Sequence, residues 1–282
     1  MGRMKIMALQ ADLSNKYETL FEMKNHELGK ISKTRQAAWE YIWMQGQMPY
    51  LDPGNVLILK NQMPGARDVK TYDEWKRAGY SIKKGERALK IFSPRPNHKK
   101  GALLEVLNVF DITQTTRSYS WAPICDLPRT HLVALVLVAG VELAQFKKIT
   151  PNTKNVAYLE KENILVVNPH VDDELLMLHA TENAIYRLRE KNQLAYFLQG
   201  DWETRVKSAH FAAQIYIARY GFEDPIGQEE SLTTLSSFDL KEREELLIQA
   251  RSDFVAIMER TEALFPNLAK KYPLKDERGL IR

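Results

Sequence analysis

The sequence predicts an α+β fold in two domains, helices with a small antiparallel sheet followed by a mostly helical domain with a β-hairpin. Three observations predict this fold. Long segments place apolar residues at helical spacing, shorter segments alternate like strands, and a stretch with two prolines and no periodicity divides the chain. With 282 residues and 44% hydrophobic content, the chain can form two cores. We place the domains at residues 1–128 and 129–282.

The first domain begins with apolar residues at helical spacing across residues 12–47. Thr71 and Glu74 then match a capping box, which predicts the start of a short helix that carries Trp75. Gly79 is a natural stop for this helix, because glycine readily adopts the left-handed conformation at a helix C-terminus.

Two strands are predicted after this short helix. Residues 83–86 form a turn, residues 87–93 alternate like a strand, and residues 108–115 end a second strand. The segment between them, residues 94–101, is polar and basic. We therefore expect an exposed loop there that contacts phosphate.

The second domain is predicted to contain a helix, a hairpin and three further helices. Thr130 can cap the first helix, which continues to about Phe146. Two β-rich runs then flank a charged Lys-Glu-Asn turn, which predicts a hairpin. Helical segments follow at residues 172–191 and 201–220, and an Asp-x-x-Glu start at Asp239 predicts a last long helix.

Charge is divided unevenly along the chain. Residues 1–130 carry 21 Lys and Arg against 13 Asp and Glu, a net charge of +8, whereas residues 131–282 carry 19 against 23, a net charge of −4. Nine cations lie within residues 76–100 against one acid, Glu86, and aromatic residues are interleaved with them. Cations for phosphates and aromatic faces for unstacked bases are what a single-stranded nucleic acid requires. The alternative is a solvated basic face.

Six short motifs follow one another within residues 55–115: N-x-L-I, Q-x-P, the Trp75 helix, K-K-G-E, I-F-S-P and V-F-D-I-x-Q-T. This arrangement resembles the N-terminal single-stranded-DNA-binding domain of the ArdC/LtrC antirestriction family. The resemblance implies that the protein binds single-stranded DNA and protects mobile DNA during transfer. The candidate nucleic-acid-binding residues are Lys76, Arg77, Lys83, Lys84, Arg87, Arg95, Lys99, Lys100, Trp75, Asn55 and Gln62.

The family pattern also contains Asp111 and Gln114, which, like Asn55 and Gln62, are not cations. Such residues either hydrogen-bond the nucleic acid or hold the backbone of their own domain. We expect the structural role, because a buried polar side chain near a strand end usually has a backbone partner.

The second domain resembles the zinc-metallopeptidase-like domain of the same family, which normally carries His-Glu-x-x-His on a helix. Two histidines four residues apart share a helix face and can bind one zinc, and the glutamate is the general base. The corresponding residues here are His179, Ala180 and Asn183, and the family's third ligand, a glutamate, falls on His210. The resemblance therefore implies that the general base and the second ligand are missing.

This degenerate motif has three interpretations. His179 and His210 are a structural remnant without metal, which we expect, or His179, Glu182 and His210 form a rebuilt zinc site. The third interpretation is a working peptidase, which the loss of the general base disfavours. We thus expect a pseudo-peptidase without a cofactor, with zinc as the alternative. The rival functions are a regulatory metallopeptidase whose first domain docks substrate, and a peptide-binding module.

Missing motifs, the cysteine content and the lack of long apolar runs exclude several other classes of function. The sequence has no P-loop, GxGxxG or GxSxG motif, and its single cysteine, Cys125, fits a reducing cytoplasm. We expect no signal peptide and no membrane partner, because no apolar run is long enough. The expected partners are single-stranded DNA and a protein that binds the second domain. The histidines outside the motif, at positions 26, 98, 131 and 170, are expected to be surface or turn residues.

Overall fold

The computed structural model describes residues 2–94, 104–116, 128–145, 156–159, 161–168, 170, 172–194, 202–222, 235 and 238–271. The chain groups into two compact units, one of Met1–Trp121 with Ser231–Glu244 and the other of Ala122–Glu230 with Glu245–Arg282. The contacts divide the chain after Trp121, whereas the sequence placed the division at residue 128. They also add residues 231–244 to the first unit, a grouping that no local pattern predicts.

The first unit opens with three helices and continues with a small sheet. Its elements are α1 (Gly2–Ile31), α2 (Arg35–Gln47), α3 (Pro53–Gln62), β1 (Val69–Lys70), α4 (Tyr72–Arg77), β2 (Leu89–Pro94), β3 (Leu104–Asp111) and a 3-10 turn (Ile112–Gln114). The strands form an antiparallel sheet in the order β1–β3–β2, and Leu89 pairs with Val109. The predicted small antiparallel sheet is confirmed.

Local signals explain several boundaries in this unit. Asp52 caps α3 by accepting a hydrogen bond from Gly54 N at 2.8 Å, and Pro53 follows at a position where a missing N–H costs little. Thr71 and Glu74 form both hydrogen bonds of the predicted capping box at the start of α4.

Charge is buried among the helices of the first unit. Glu27 on α1 is 2% exposed, and its Oε2 accepts a hydrogen bond from Lys60 Nζ of α3 at 2.8 Å. Burial acts to raise the pKa of Glu27, but hydrogen bonds from Lys30, Lys60 and Asn61 outweigh it and hold the pKa at about 2. An ionised Glu27 therefore ties α1 to α3.

The second unit combines a three-stranded sheet with helices. Its elements are α5 (Pro128–Ala139), β4 (Glu142–Gln145), β5 (Val156–Leu159), β6 (Ile164–Val167), α6 (Asp173–Glu190), α7 (Trp202–Arg219), α8 (Leu240–Glu262) and α9 (Phe265–Lys271). Only the part of α8 from residue 245 onward belongs to this unit. Strands β5 and β6 form the predicted hairpin, with Asn163 at φ 56° in its turn. No helix in the described part of the chain is both long enough and apolar enough to cross a membrane.

The start of the second unit differs from the prediction. Helix α5 begins at Pro128 rather than at a Thr130 cap, and it ends at Ala139 instead of near Phe146. Gly140 follows with φ 64°, and the next residues form β4, which pairs in parallel with β6. The sequence prediction was wrong here because pairing with a distant strand decides the conformation of this segment.

His131 is also misplaced by the sequence prediction. It was expected at the surface or in a turn, but it lies on α5 and is 0% exposed. Its ring centroid lies 4.3 Å from that of Tyr220 and 4.8 Å from that of Phe265, and its Nδ1 lies 3.0 Å from Tyr216 Oη. Aromatic residues around α7 and α9 bury this histidine, which no local pattern shows. His98 lies outside the described residues.

Candidate functional site

Five of the predicted nucleic-acid-binding cations are exposed on the first unit, at the end of α4 and in the stretch before β2: Lys76, Arg77, Lys83, Lys84 and Arg87. We call residues 76–87 the basic segment. Lys83 Nζ donates a hydrogen bond to Thr113 O at 2.8 Å, which ties the segment to the 3-10 turn after β3. The other three predicted cations, Arg95, Lys99 and Lys100, lie outside the described residues.

Trp75 does not belong to this exposed surface. Its side chain is 2% exposed, and its Nε1 donates a hydrogen bond to Phe110 O at 2.7 Å. Lys70 Nζ lies 4.2 Å from the centre of the ring, and the Tyr80 ring packs at 5.2 Å. A buried indole offers no face to a base, so the prediction that Trp75 binds nucleic acid is corrected. Trp75 anchors α4 on β3.

Asn55 and Gln62 lie two turns apart on α3, beside the outer edge of β2. Asn55 Nδ2 donates to Phe92 O at 2.8 Å, and Asn55 Oδ1 accepts from Phe92 N at 2.9 Å. Gln62 forms the same pair with Lys90 O at 2.7 Å and Lys90 N at 2.9 Å. Each side-chain amide thus forms the two hydrogen bonds that the backbone of a neighbouring strand would form, so the backbone groups of Phe92 and Lys90 at the edge of β2 are paired. Contact of these two residues with nucleic acid stays a prediction.

Asp111 and Gln114 use their side chains in the same way. Asp111, 0% exposed, accepts hydrogen bonds at Oδ1 from Arg67 N at 2.7 Å and at Oδ2 from Thr113 N at 2.9 Å. Gln114 Oε1 accepts from Asp111 N at 2.9 Å, and its Nε2 donates to Arg87 O at 2.9 Å. These bonds fix the backbone before β1 and after β3, and the bond from Gln114 holds Arg87 at the end of the basic segment.

In the second unit the three candidate metal-binding residues lie together on α6 and α7. The Glu182 carboxylate lies between two imidazoles, with His179 Nδ1 3.0 Å from Oε2 and His210 Nδ1 hydrogen-bonded to Oε1. Burial acts to raise the pKa of Glu182, but hydrogen bonds from His179 and His210 outweigh it and hold the pKa at about 2. Glu182 is therefore an anion bridging the two helices.

The donor atoms of this cluster do not fit a catalytic zinc site. Both ring nitrogens of His210 have side-chain partners, because Nδ1 is hydrogen-bonded to Glu182 and Nε2 lies 2.8 Å from the Gln214 side-chain amide. Within the described residues, no group of three or more His, Cys, Asp or Glu is arranged to hold a metal ion. Gln214 was not predicted from the sequence, although it lies four residues after His210 and so shares its helix face.

The two other positions of the degenerate motif also have structural roles. Asn183, at the position of the second ligand, donates its Nδ2–H to His179 O at 2.7 Å. Ala180, at the position of the general base, is 1% exposed and packs in the core. Ala180 has no group that could take a proton from water, and the Asn183 amide is hydrogen-bonded to the backbone of its own helix.

The fold and these sites define an α+β protein of two units, the second carrying a histidine–carboxylate cluster across two helices. The chain shares the fold of the antirestriction protein ArdC from the R388 plasmid. Its Mn(II)-bound structure matches at 15% identity with a TM-score of 0.53, covering 85% of this chain and 98% of that chain. Its metal-free structure matches at 16% identity with a TM-score of 0.55, covering 85% and 97%.

These matches confirm the resemblance to the ArdC/LtrC family at the level of the fold. No protein-family model matches the chain, and no curated protein matches its sequence. At this identity the likeness concerns the arrangement of the backbone, so the roles of individual residues rest on their own contacts.

Proposed function

We propose that this chain is an antirestriction-type protein of a mobile element and that its first unit binds single-stranded DNA. The observation that carries the proposal is the exposed basic segment, in a chain with the fold of a plasmid antirestriction protein. Binding occurs mostly through phosphates, so the affinity falls with salt and depends little on sequence.

The backbone around the basic segment supports this proposal. Lys83 N donates to Gln114 O at 2.9 Å, and Thr116 N donates to Ser81 O at 2.8 Å. Gln114 in turn holds Arg87 O. A segment fixed in this way loses less conformational entropy when it binds a strand than a free loop does.

Neutralising the basic segment is expected to weaken binding and its salt dependence together. In the variant Lys76→Gln/Lys84→Gln/Arg87→Gln, three exposed cations are lost. Each single-strand phosphate contact contributes about 0.7 to the slope of log K against log salt, so the slope should fall in magnitude by about 2. Fluorescence anisotropy with a labelled oligo(dT) at several salt concentrations measures both quantities.

The matched control is Lys33→Gln/Lys161→Gln/Lys241→Gln, which removes three exposed cations elsewhere and changes the net charge equally. Its slope should stay near that of the unmodified protein. Equal slopes for the two triple variants would show that net charge, and not the basic segment, attracts the DNA. In cells, the first variant should also lose protection of transferred DNA in a restricting host.

We further propose that the second unit is a pseudo-peptidase that does not cleave peptides. The cluster of His179, Glu182 and His210 is a hydrogen-bonded link between α6 and α7, with Gln214 at the nitrogen that a metal would need. If zinc were bound there, it would supply an activated water, and this chain has Ala180 where a base for that water is needed.

Purified protein incubated with zinc or Mn(II) and freed of excess metal is expected to retain far less than one ion per chain by mass spectrometry. The variant Ala180→Glu/Asn183→His/His210→Glu should retain more zinc, because it places histidine at the second-ligand position and glutamate at the third, as in the family pattern. Ala180→Glu alone, which restores neither, is the control. Stoichiometric metal in the unmodified protein, lost on His179→Ala, would establish a rebuilt site instead.

A further inference from the structure

The aromatic residues interleaved with the cations of the first unit differ widely in exposure. Four such residues lie between positions 72 and 92: Tyr72, Trp75, Tyr80 and Phe92. Trp75 and Phe92 are buried, and Tyr80 is half-buried and packs on the Trp75 ring. Tyr72, the first residue of α4, is 55% exposed. Because a base can stack only on a ring that it can reach, Tyr72 is the residue of these four that suits a base.

Tyr72 shares a face of α4 with one cation of the basic segment. Lys76 lies four residues later, so the two side chains are neighbours on the helix surface. Lys76 is also exposed, and among the described residues neither side chain has a hydrogen-bond, ion-pair or ring partner. Trp75 holds the helix on β3 through its hydrogen bond to Phe110 O. An anchored helix thus presents a ring and an ammonium group side by side to solvent.

The two acidic residues of α4 leave the charge of Lys76 open to a phosphate. Glu74 Oε2 accepts hydrogen bonds from Thr71 N at 2.8 Å and from Thr71 Oγ1 at 2.7 Å, as part of the capping box. Asp73 is exposed and forms no ion pair with Lys76 in the described part of the chain. Arg77 lies four residues after Asp73 on the same helix, so its charge offsets that carboxylate.

An exposed aromatic ring beside an ammonium group matches the two parts of a nucleotide. The ring offers a flat face to a base, and the ammonium group pairs with a phosphate. We infer that Tyr72 and Lys76 bind one nucleotide of a single strand, with the base on the Tyr72 ring and the adjacent phosphate at Lys76 Nζ. Bases in a duplex are already stacked on one another, so this contact favours an unpaired strand. The inference rests on the proposed binding of single-stranded DNA and adds a base contact to the phosphate contacts.

The variant Tyr72→Leu removes the ring and keeps an apolar side chain. It should bind oligo(dT) about fivefold or more weakly than the unmodified protein does, the lower end of what one base–aromatic contact contributes. Its affinity for an oligonucleotide of equal length made of abasic units should be unchanged, because the phosphates are the same. Tyr72→Phe, which keeps the ring, is the matched control and should bind both ligands as the unmodified protein does. Fluorescence anisotropy at low salt measures the affinities, and melting curves check that the variants are folded.

The variant Lys76→Gln tests the phosphate contact separately. It should weaken the binding of oligo(dT) and of the abasic ligand by the same factor, because both ligands carry the phosphate that Lys76 binds. A loss confined to oligo(dT) would show that Lys76 contacts the base, and it would overturn the assignment of the phosphate to this side chain.

Four outcomes with the Tyr72 variants and the unmodified protein overturn the inference. Unchanged oligo(dT) binding by Tyr72→Leu removes the base contact and leaves the proposed function intact. An equal loss for both ligands in Tyr72→Leu shows that the ring does not act on a base. A loss in Tyr72→Phe as large as that in Tyr72→Leu assigns the contact to the hydroxyl group instead of the ring. No binding of either ligand by the unmodified protein removes the proposed function and this inference together.

Discussion

Asp111→Ala is expected to lower the free energy of unfolding of the first unit by about 3–5 kcal/mol, because it leaves buried donors without acceptors. Asp111 Oδ1 accepts from Arg67 N and Asp68 N, at 2.7 and 3.2 Å. Its Oδ2 accepts from Thr113 N at 2.9 Å and from Thr113 Oγ1 at 2.6 Å. Each backbone N–H left unpaired in the interior costs about 1–3 kcal/mol.

Urea unfolding of the full chain, with hydrogen exchange at the amides of Arg67, Asp68 and Thr113, measures this effect where it arises. Asp73→Ala is the control, because this carboxylate is exposed and its loss should cost about 0.5 kcal/mol or less. Unchanged stability and amide protection in Asp111→Ala, combined with lost DNA binding, would reverse the assignment and make Asp111 a DNA-contacting residue.

Asp253→Ala is expected to destabilise the second unit by about 3–5 kcal/mol, since it leaves a buried guanidinium without its anion. The side chains of Arg189 on α6 and Asp253 on α8 are 5% and 1% exposed and form an ion pair. Arg189 also donates to Ser208 Oγ of α7 at 2.9 Å, and Gln249 Nε2 donates to Asp253 at 3.2 Å. This network links three helices, so its removal should weaken the packing of all three helices together.

The double variant Arg189→Met/Asp253→Leu separates the ion pair from the cost of leaving one charge unpaired. Replacing a buried pair by apolar residues is often neutral or stabilising, so the double variant should be more stable than Asp253→Ala. Thermal and urea unfolding of Arg189→Met, Asp253→Leu and the double variant complete the cycle. A double variant that loses as much as the sum of the single losses would show that the two side chains do not act as a pair.

Local sequence determined the elements whose signals lie within a few residues. The capping box of Thr71 and Glu74 starts α4, and the charged turn between β5 and β6 makes the hairpin. These predictions held because the hydrogen bonds that stabilise a helix start or a tight turn involve neighbours in the chain. The spacing of His179 and Glu182 on one helix face was likewise readable from the sequence.

Only the tertiary structure decided which distant segments contact each residue, and therefore its burial and its hydrogen-bond partners. Residues 142–145 form a strand because β6 lies beside them, and Trp75 is core because α4 packs on β3. His210 meets Glu182 through the packing of α7 on α6, which also directs its second nitrogen to Gln214. Burial and hydrogen-bond partners come from contacts between segments far apart in the chain, so periodicity and motif spacing cannot show them.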